Sequence, residues 1–378
     1  MSLTLHGMGT AVPSGRVSLD EAIVLSEHVS EAQGPPSALL QRIHQRSGVR
    51  SRGSVLISED QGETSFLDRV PFYGSESPST AERMRVFRDH AAALALKASR
   101  AALADSGLPV AAITHLVTVC CTGFDAPGVD LALIAELGLM PDVQRTHVGF
   151  MGCHGALNGL RVARAFAESD ASAVVMLCCV ELCSLHLQYG ADREQVVANA
   201  LFADGAAAMV ASAQPSGSNA ALRLEASGST VIPGTADLMH WRIADHGFSM
   251  GLSPRVPQTV AHALRPWLSD WLSPWGLAPA SITSWAMHPG GPRILSACGE
   301  ALGLKPYQLD CSQAVLHDHG NMSSATILFI LERLRHSSRP GPCLALAFGP
   351  GLCAEVALFH LTAGQDETTP PLDLGGAA

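Results

Sequence analysis

The sequence predicts an α/β fold built from two pseudo-equivalent halves. Three observations lead there. Ile113 to Cys121 and Ala171 to Leu182 are β-rich and almost wholly apolar, the pattern of strands covered on both faces. After a Pro/Gly/Ser stretch at Pro215 to Asn219, the alternation of strand and helix starts again. GCHGALNGLRVARAF at 152–166 and GNMSSATILFILERL at 320–334 echo one another: a glycine, a polar or reactive residue, then a helix-period run. At 378 residues the chain is too long for one simple core and suits such a duplication.

The elements follow in order. Leu3 to Gly9 reads as a strand. Asp20 to Val29 reads as a helix capped at Ser18, and Ser37 to Arg46 as a second that carries Arg42 and Arg46 at i, i+4 on one face. Gly48 to Thr80 is polar and rich in Gly, Ser and Pro, hence loop. Ala81 to Ser106 is a long alanine-rich helix with few charges, expected between layers. A loop at Thr122 to Gly128 leads to a helix ending near Leu137. Thr146 to Phe150 is extended, turns at Met151-Gly152, and feeds a helix from His154 to Phe166. Ala198 to Ser212 turns at Asp204-Gly205 before a strand of small residues. In the second half, Ala221 to Ser227 is a strand, Gly247 to Pro254 a loop and Val256 to Leu272 a helix. Ile282 to Met287 is a strand that delivers His288 into a Gly-Gly turn. Helices at Ile294 to Ala301 and Asn321 to His336 follow, then strands at Cys343 to Phe348 and Leu352 to His360. The halves are placed at 1–218 and 219–363. The tail, 364–378, is Pro/Gly-rich and expected to be disordered.

With 47% apolar and only 15% charged residues, the chain buries a large interior without needing disulfides. A net charge of −10 argues against nucleic acid as the main partner. None of the ten cysteines falls in a C-x-x-C pair, and no metal site is assigned. Cys120-Cys121 and Cys178-Cys179 lie inside apolar runs, which points to a reducing, cytoplasmic setting. No segment is uniformly apolar for long enough to be expected to span a membrane, and the stretch MSLTLHGMGTAVP shows neither a basic n-region nor a long apolar h-region.

Cys153 sits at the turn from a strand into a helix. Unpaired N–H groups and the positive end of the helix dipole there are expected to favour thiolate over thiol. Gly152 and Gly155 admit a substrate close to the sulfur. Taken singly, Cys153 reads as a small buried cysteine, His288 as a satisfied histidine and Asn321 as a helix cap. Together, each on a loop at the end of a core element, they read as a site. A thiolate accepts an acyl group from a thioester. A neutral imidazole N–H and an Asn amide donate to a thioester carbonyl as it becomes an enolate or oxyanion. No carboxylate is required if the electron pair comes from decarboxylation of a malonyl group.

These residues carry a resemblance. GTAVP at 9–13, FDAPG at 124–128, GC at 152–153, ALFADGAAA at 200–208, HPGGPRIL at 288–295, GNMSSATILFIL at 320–331 and FGPGL at 348–352 occur in one order across residues 4–361. In these motifs the chain resembles the type III polyketide synthases, the chalcone and stilbene synthase family, as a bacterial-like member. The resemblance implies a thiolase-like five-layered αβαβα sandwich, a homodimer, and iterative condensation of malonyl-CoA onto an acyl-CoA starter. Coenzyme A thioesters then serve as substrates, with no tightly bound cofactor. It implies Cys153 as nucleophile, with His288 and Asn321 as decarboxylation and oxyanion groups.

Phe202 falls on a gatekeeper position. Met250 stands where a second gatekeeper phenylalanine is expected. Cys121, Cys183 and His186 stand where plant members have threonines, and Ala126 where a residue crosses the dimer interface. Thr122 and Ser323 complete the implied cavity. Arg42 and Arg46, with Leu39 in place of a third cation, are implied at the CoA phosphates, as are Arg293 and Gly290. These departures argue against any named plant product. A ketoacyl synthase III-like enzyme, a thioesterase and a non-catalytic CoA-binding thiolase-fold protein stay open as alternatives.

Overall fold

The computed structural model describes residues 2–30, 37–57, 65–215, 222–337 and 340–362. The linker beyond Pro215 and the tail from 364 lie outside these residues. The strands are β1 (Leu3–Ala11), β2 (Arg16–Ser18), β3 (Ser51–Gly53), β4 (His115–Cys120), β5 (Gln144–Gly149), β6 (Val174–Leu182) and β7 (Asp204–Ser212) in the first half. In the second half they are β8 (Leu222–Val231), β9 (Met239–Ala244), β10 (Gly247–Leu252), β11 (Ser284–Met287), β12 (Gly341–Gly349) and β13 (Cys353–Leu361). The helices are α1 (Leu19–Ser30), α2 (Ser37–Arg46), α3 (Thr80–Ser106), α4 (Val129–Leu137), α5 (Gly155–Ser169) and α6 (Arg193–Leu201). They continue with α7 (Val256–Leu272), α8 (Pro292–Leu302), α9 (Asp310–His319) and α10 (Thr326–Ser337).

Burial divides these elements into five layers. Alternate residues of β4, β6 and β7, such as Leu116, Met176 and Ala208, pack against Phe87, Ala95 and Ala98 of α3 and Leu133 of α4. The intervening residues, such as Val117, Leu177 and Met209, face the opposite way, onto α5 and α10. Cys343, Ala345 and Ala357 of β12 and β13 meet α5 and α10 from the other side. Their neighbours Leu344, Leu346 and Val356 face outward onto α7 and α8. Two-residue periodicity in strands with both faces covered produces this sandwich. The hydrogen bonds run through all nine major strands in the order β11-β12-β13-β8-β1-β7-β6-β4-β5. A short antiparallel junction, Leu3 opposite Leu224 to Leu5 opposite Leu222, joins the halves. Among the described residues, no helix is long and apolar enough to cross a membrane.

Local signals explain the ends. Ser79 and Glu82 form a capping box at α3, and Gly107 closes it at φ 64°. Ser18 and Glu21 exchange the same bonds before α1. Three expectations are corrected. Gly247 to Leu252 is not loop but strand, paired antiparallel with β9 in a separate two-stranded ribbon. The α6 and α9 helices also lie where no helix was expected. Asn321 is not in an α-helix: it precedes α10 beside a 3₁₀ turn, Ser323–Ala325, while Cys153 lies in the turn Gly152–His154 that leads into α5.

Gly7 marks where β1 crosses under α3. A Cβ there would sit 2.3 Å from the Ser106 nitrogen and 2.4 Å from the Ala102 oxygen, both backbone. Gly7→Ala therefore has to part strand and helix, and is expected to cost about 1–3 kcal/mol or more. Thermal unfolding measures it; an unchanged midpoint would refute the close approach.

Candidate active site

Two turns, one from each half, meet at the site. The β5 strand ends at Gly149, and Phe150 at φ 60° and Gly152 at φ 74° swing the chain so that Cys153 follows. In the second half α9 stops at Gly320, φ 74°, and Ser323 stands at φ 46° just after Asn321. A non-glycine residue at positive φ costs of order 1–3 kcal/mol and tends to occur at functional sites. The Asn321 backbone is pinned to the ALFADG segment: its N–H donates to the Leu201 carbonyl at 2.9 Å, and Ala203 N–H donates back at 2.9 Å. This bridge brings Phe202 beside Asn321.

Cys153 Sγ lies 4.0 Å from Asn321 Oδ1. That oxygen already accepts the Ser323 N–H at 2.9 Å, which leaves the NH2 end of the amide as the free donor. His288 follows β11 and is held by its N–H to the Leu346 carbonyl at 2.8 Å. Its ring is 1% exposed, and neither ring nitrogen has a hydrogen-bond partner among the described residues. Burial, with His154 nearby, pushes the imidazole down to about 3, so it is neutral. The expectation of an acidified nucleophile is overturned. Burial pushes the Cys153 thiol up to about 12, although hydrogen bonding with Ser323 and Asn321 works the other way. The α5 helix begins at Gly155, beyond the 3₁₀ turn that holds Cys153.

Cys153 opens onto a cavity of about 940 Å³, mouth included. Phe202, Met250, Cys121, Thr122, Cys183, His186 and Ser323 all line it. Its other walls are largely apolar, among them Leu25, Val70, Met239, Trp241 and Phe248. His186 offers only ring carbon to a ligand. Its Nε2–H donates to the Thr122 carbonyl at 2.6 Å, and its Nδ1 accepts the Phe248 N–H at 3.0 Å. The β9–β10 ribbon is fastened over the site by Trp241 Nε1–H, which donates to the Cys121 carbonyl at 2.7 Å.

His288 and Asn321 sit behind the lining. Arg42, Arg46, Arg293 and Gly290 are not part of it either: the three arginines are exposed, and Gly290 is half-buried in the turn after His288. The α2 helix, which carries Arg42 and Arg46, packs on α6, whose Gln195, Ala198 and Asn199 wall the cavity.

Three of the buried charged residues that escaped the sequence reading surround the cavity. Arg52 lines the cavity and donates through one nitrogen to the Asn199 carbonyl at 2.6 Å and the Phe202 carbonyl at 2.9 Å. It thereby holds the backbone of the Phe202 position. Arg83 lies beneath the loop that carries Cys183 and His186. Glu181, with no exposed surface, sits behind Cys121. Its signal was available: a single acid in the otherwise apolar strand VVMLCCVEL.

The architecture resembles that of PKS-I from the brown alga Ectocarpus siliculosus. The TM-score is 0.86 at 29% identity, covering 96% of this chain and 98% of that one. Five layers with a cysteine turn at the head of the central helix define a thiolase-like enzyme. Residues 2–215 match the family described as chalcone and stilbene synthases, N-terminal domain, and residues 223–362 its C-terminal domain. The 1,3,6,8-tetrahydroxynaphthalene synthase of Streptomyces peucetius is 35% identical over 93% of this chain and 91% of its own length. The alpha-pyrone synthesis polyketide synthase-like Pks18 of Mycobacterium tuberculosis is 31% identical over 94% and 91%. The chain belongs to the chalcone and stilbene synthase family and is a type III polyketide synthase, an acyltransferase.

Proposed function

We propose that the enzyme loads an acyl group from a coenzyme A thioester onto Cys153. It then extends that group by decarboxylative condensation with malonyl-CoA and closes the chain into a ring. Two observations carry this reading: His288 is a buried neutral imidazole with both nitrogens unengaged, and Cys153 Sγ lies 4.0 Å from Asn321 Oδ1. A buried polar group without a partner is costly. A thioester carbonyl that turns into an enolate oxygen would take up the His288 N–H and the Asn321 amide together, and more strongly as charge develops.

Phe202 and Met250 would shape the space between the CoA arm and the cavity. Arg42 and Arg46, with Arg293, would meet CoA phosphates as exposed cations. In this reading two copies pair through the FDAPG loop and the α4 helix. Exposed Phe124 and Leu131 on that surface support it.

The test is incubation with malonyl-CoA and a panel of acyl-CoA starters, read by product mass and CO2 release. New carbon–carbon bonds with CO2 are expected. Free acid alone would indicate a thioesterase, and no turnover a CoA-binding protein.

A further inference from the structure

The β10 strand is an edge: among the described residues it pairs with β9 and with no other strand. Strand alternation turns the backbone of Phe248, Met250 and Leu252 toward the open side. Unpaired N–H and C=O groups there would be costly, and side chains complete them instead. His186 Nδ1 accepts the Phe248 N–H at 3.0 Å, and Gln188 Nε2–H donates to the Phe248 carbonyl at 3.2 Å. Glu194 Oε2 accepts the Leu252 N–H at 2.7 Å. Gln195 Nε2–H donates to the Met250 carbonyl at 2.6 Å and to Ser249 Oγ at 3.2 Å. Of these four side chains, His186 and Gln195 line the cavity, and Gln195 is the one that holds Met250.

The wall at Phe202 is held differently. Phe202 caps the C-terminus of α6, where its N–H donates to the Ala198 carbonyl at 3.1 Å. Arg52 donates to the Phe202 carbonyl at 2.9 Å, and the next residue, Ala203, donates its N–H to the Asn321 carbonyl at 2.9 Å. Phe202 is thus tied to its helix, to Arg52 and to the second half of the chain. Met250 belongs to a ribbon outside the nine-stranded sheet, hydrogen-bonded to α6 through Glu194 and Gln195. The helix that ends in one wall therefore grips the other.

We propose that Gln195 is a positioning residue that sets the distance between Met250 and Phe202, and with it the bulk of the acyl group that reaches Cys153. This rests on the reading of Phe202 and Met250 as the passage into the cavity. The Gln195 amide is a neutral donor on a helix, so it fixes β10 without placing a charge in the wall. Without that donor the Met250 carbonyl has to turn to water, and β10 draws away from α6. The passage then widens on the ribbon side, while Phe202 keeps its own three ties.

The test compares alkylation of Cys153 by iodoacetamide and by the bulkier iodoacetanilide, without substrate and followed by peptide mass. Gln195→Met keeps the length of the side chain and loses the donor. It should raise the ratio of the iodoacetanilide rate to the iodoacetamide rate about three- to tenfold, the worth of one hydrogen bond. In a Met250→Ala background that wall is already cut back, so Gln195→Met should add less than about twofold. With substrates, KM for benzoyl-CoA should fall relative to KM for acetyl-CoA, while the two kcat values move together. An unchanged ratio of alkylation rates would overturn the proposal. So would the full effect of Gln195→Met on top of Met250→Ala, because the glutamine would then not act through Met250. Equal slowing of both reagents would make Gln195 a matter of packing and would overturn it too. If Gln195→Met does not fold, Gln195→Asn, whose amide stops short of the carbonyl, decides by the same ratio. Loading of labelled acetyl-CoA on the unmodified enzyme is measured separately. Its failure would end the acyl-enzyme reading while the alkylation ratios still judge the passage.

Discussion

Cys153→Ala is expected to abolish acyl loading while slowing malonyl-CoA decarboxylation far less, and Asn321→Ala to do the opposite. The reason lies in what each side chain can form. Without sulfur there is no covalent carrier, so chain growth ends. The decarboxylation site needs only the donors that receive the enolate oxygen, and these survive in Cys153→Ala. In Asn321→Ala the thiol remains, but one of two donors is gone. Loss of one such donor costs on the order of 10²- to 10³-fold in rate, or roughly 3–4 kcal/mol. His288→Ala should slow both steps, because His288 is expected to act on both the Cys153 sulfur and the thioester carbonyl, whereas Asn321 is expected to act on the malonyl thioester alone. Labelled starter-CoA measures loading, and ¹⁴CO2 from labelled malonyl-CoA measures decarboxylation. Normal decarboxylation in Asn321→Ala, or residual loading in Cys153→Ala, would refute this division. Equal loss of both activities in all three variants would point to a site that acts only when whole.

The second large effect is on stability. Arg83, near the start of α3, is wholly buried. It donates to the carbonyls of Pro78 at 2.9 Å, Leu187 at 3.0 Å and Leu185, and to the Ser77 hydroxyl at 3.1 Å. It also packs beneath the ring of Tyr73. One guanidinium thus ties the helix to the loop that carries Cys183 and His186 into the cavity. Arg83→Leu has nearly the right bulk but leaves three carbonyls without a donor. Each such loss costs about 1–3 kcal/mol, so roughly 3–9 kcal/mol in all is expected. Thermal unfolding should fall by roughly 5–10 °C. A drop of less than about 2 °C would mean that the carbonyls find other donors.

Much of the fold was legible because the core elements obey simple periods. Ser37 to Arg46 and Val256 to Leu272 were placed to the residue, and β4, β6, β12 and β13 fell within a few residues of their observed ends. Long runs with one or two buried faces announce themselves. Short elements did not. The β10 strand reads GFSMGL, glycine at its first and fifth positions, which resembles a loop until the β9 strand is set beside it. The α9 helix, DCSQAVLHDH, buries only Ser312, Val315 and Leu316, too few to show a clear face.

The site divides along the same line. The sequence by itself determined the residue types and their places at element ends: Cys153 after β5, His288 after β11, Asn321 after a glycine. Those are local facts, written in neighbouring residues. It did not determine their protonation. The Cys153 thiol is pushed up rather than down because segments far apart in the chain close over it and remove water. Nor did it show what the acid in β6 meets. Cys121 meets Glu181 across 60 residues and Ser323 across 202. Periodicity reports which face of an element is buried. Desolvation and hydrogen bonding depend on which distant segments share that burial, and only the folded chain decides that.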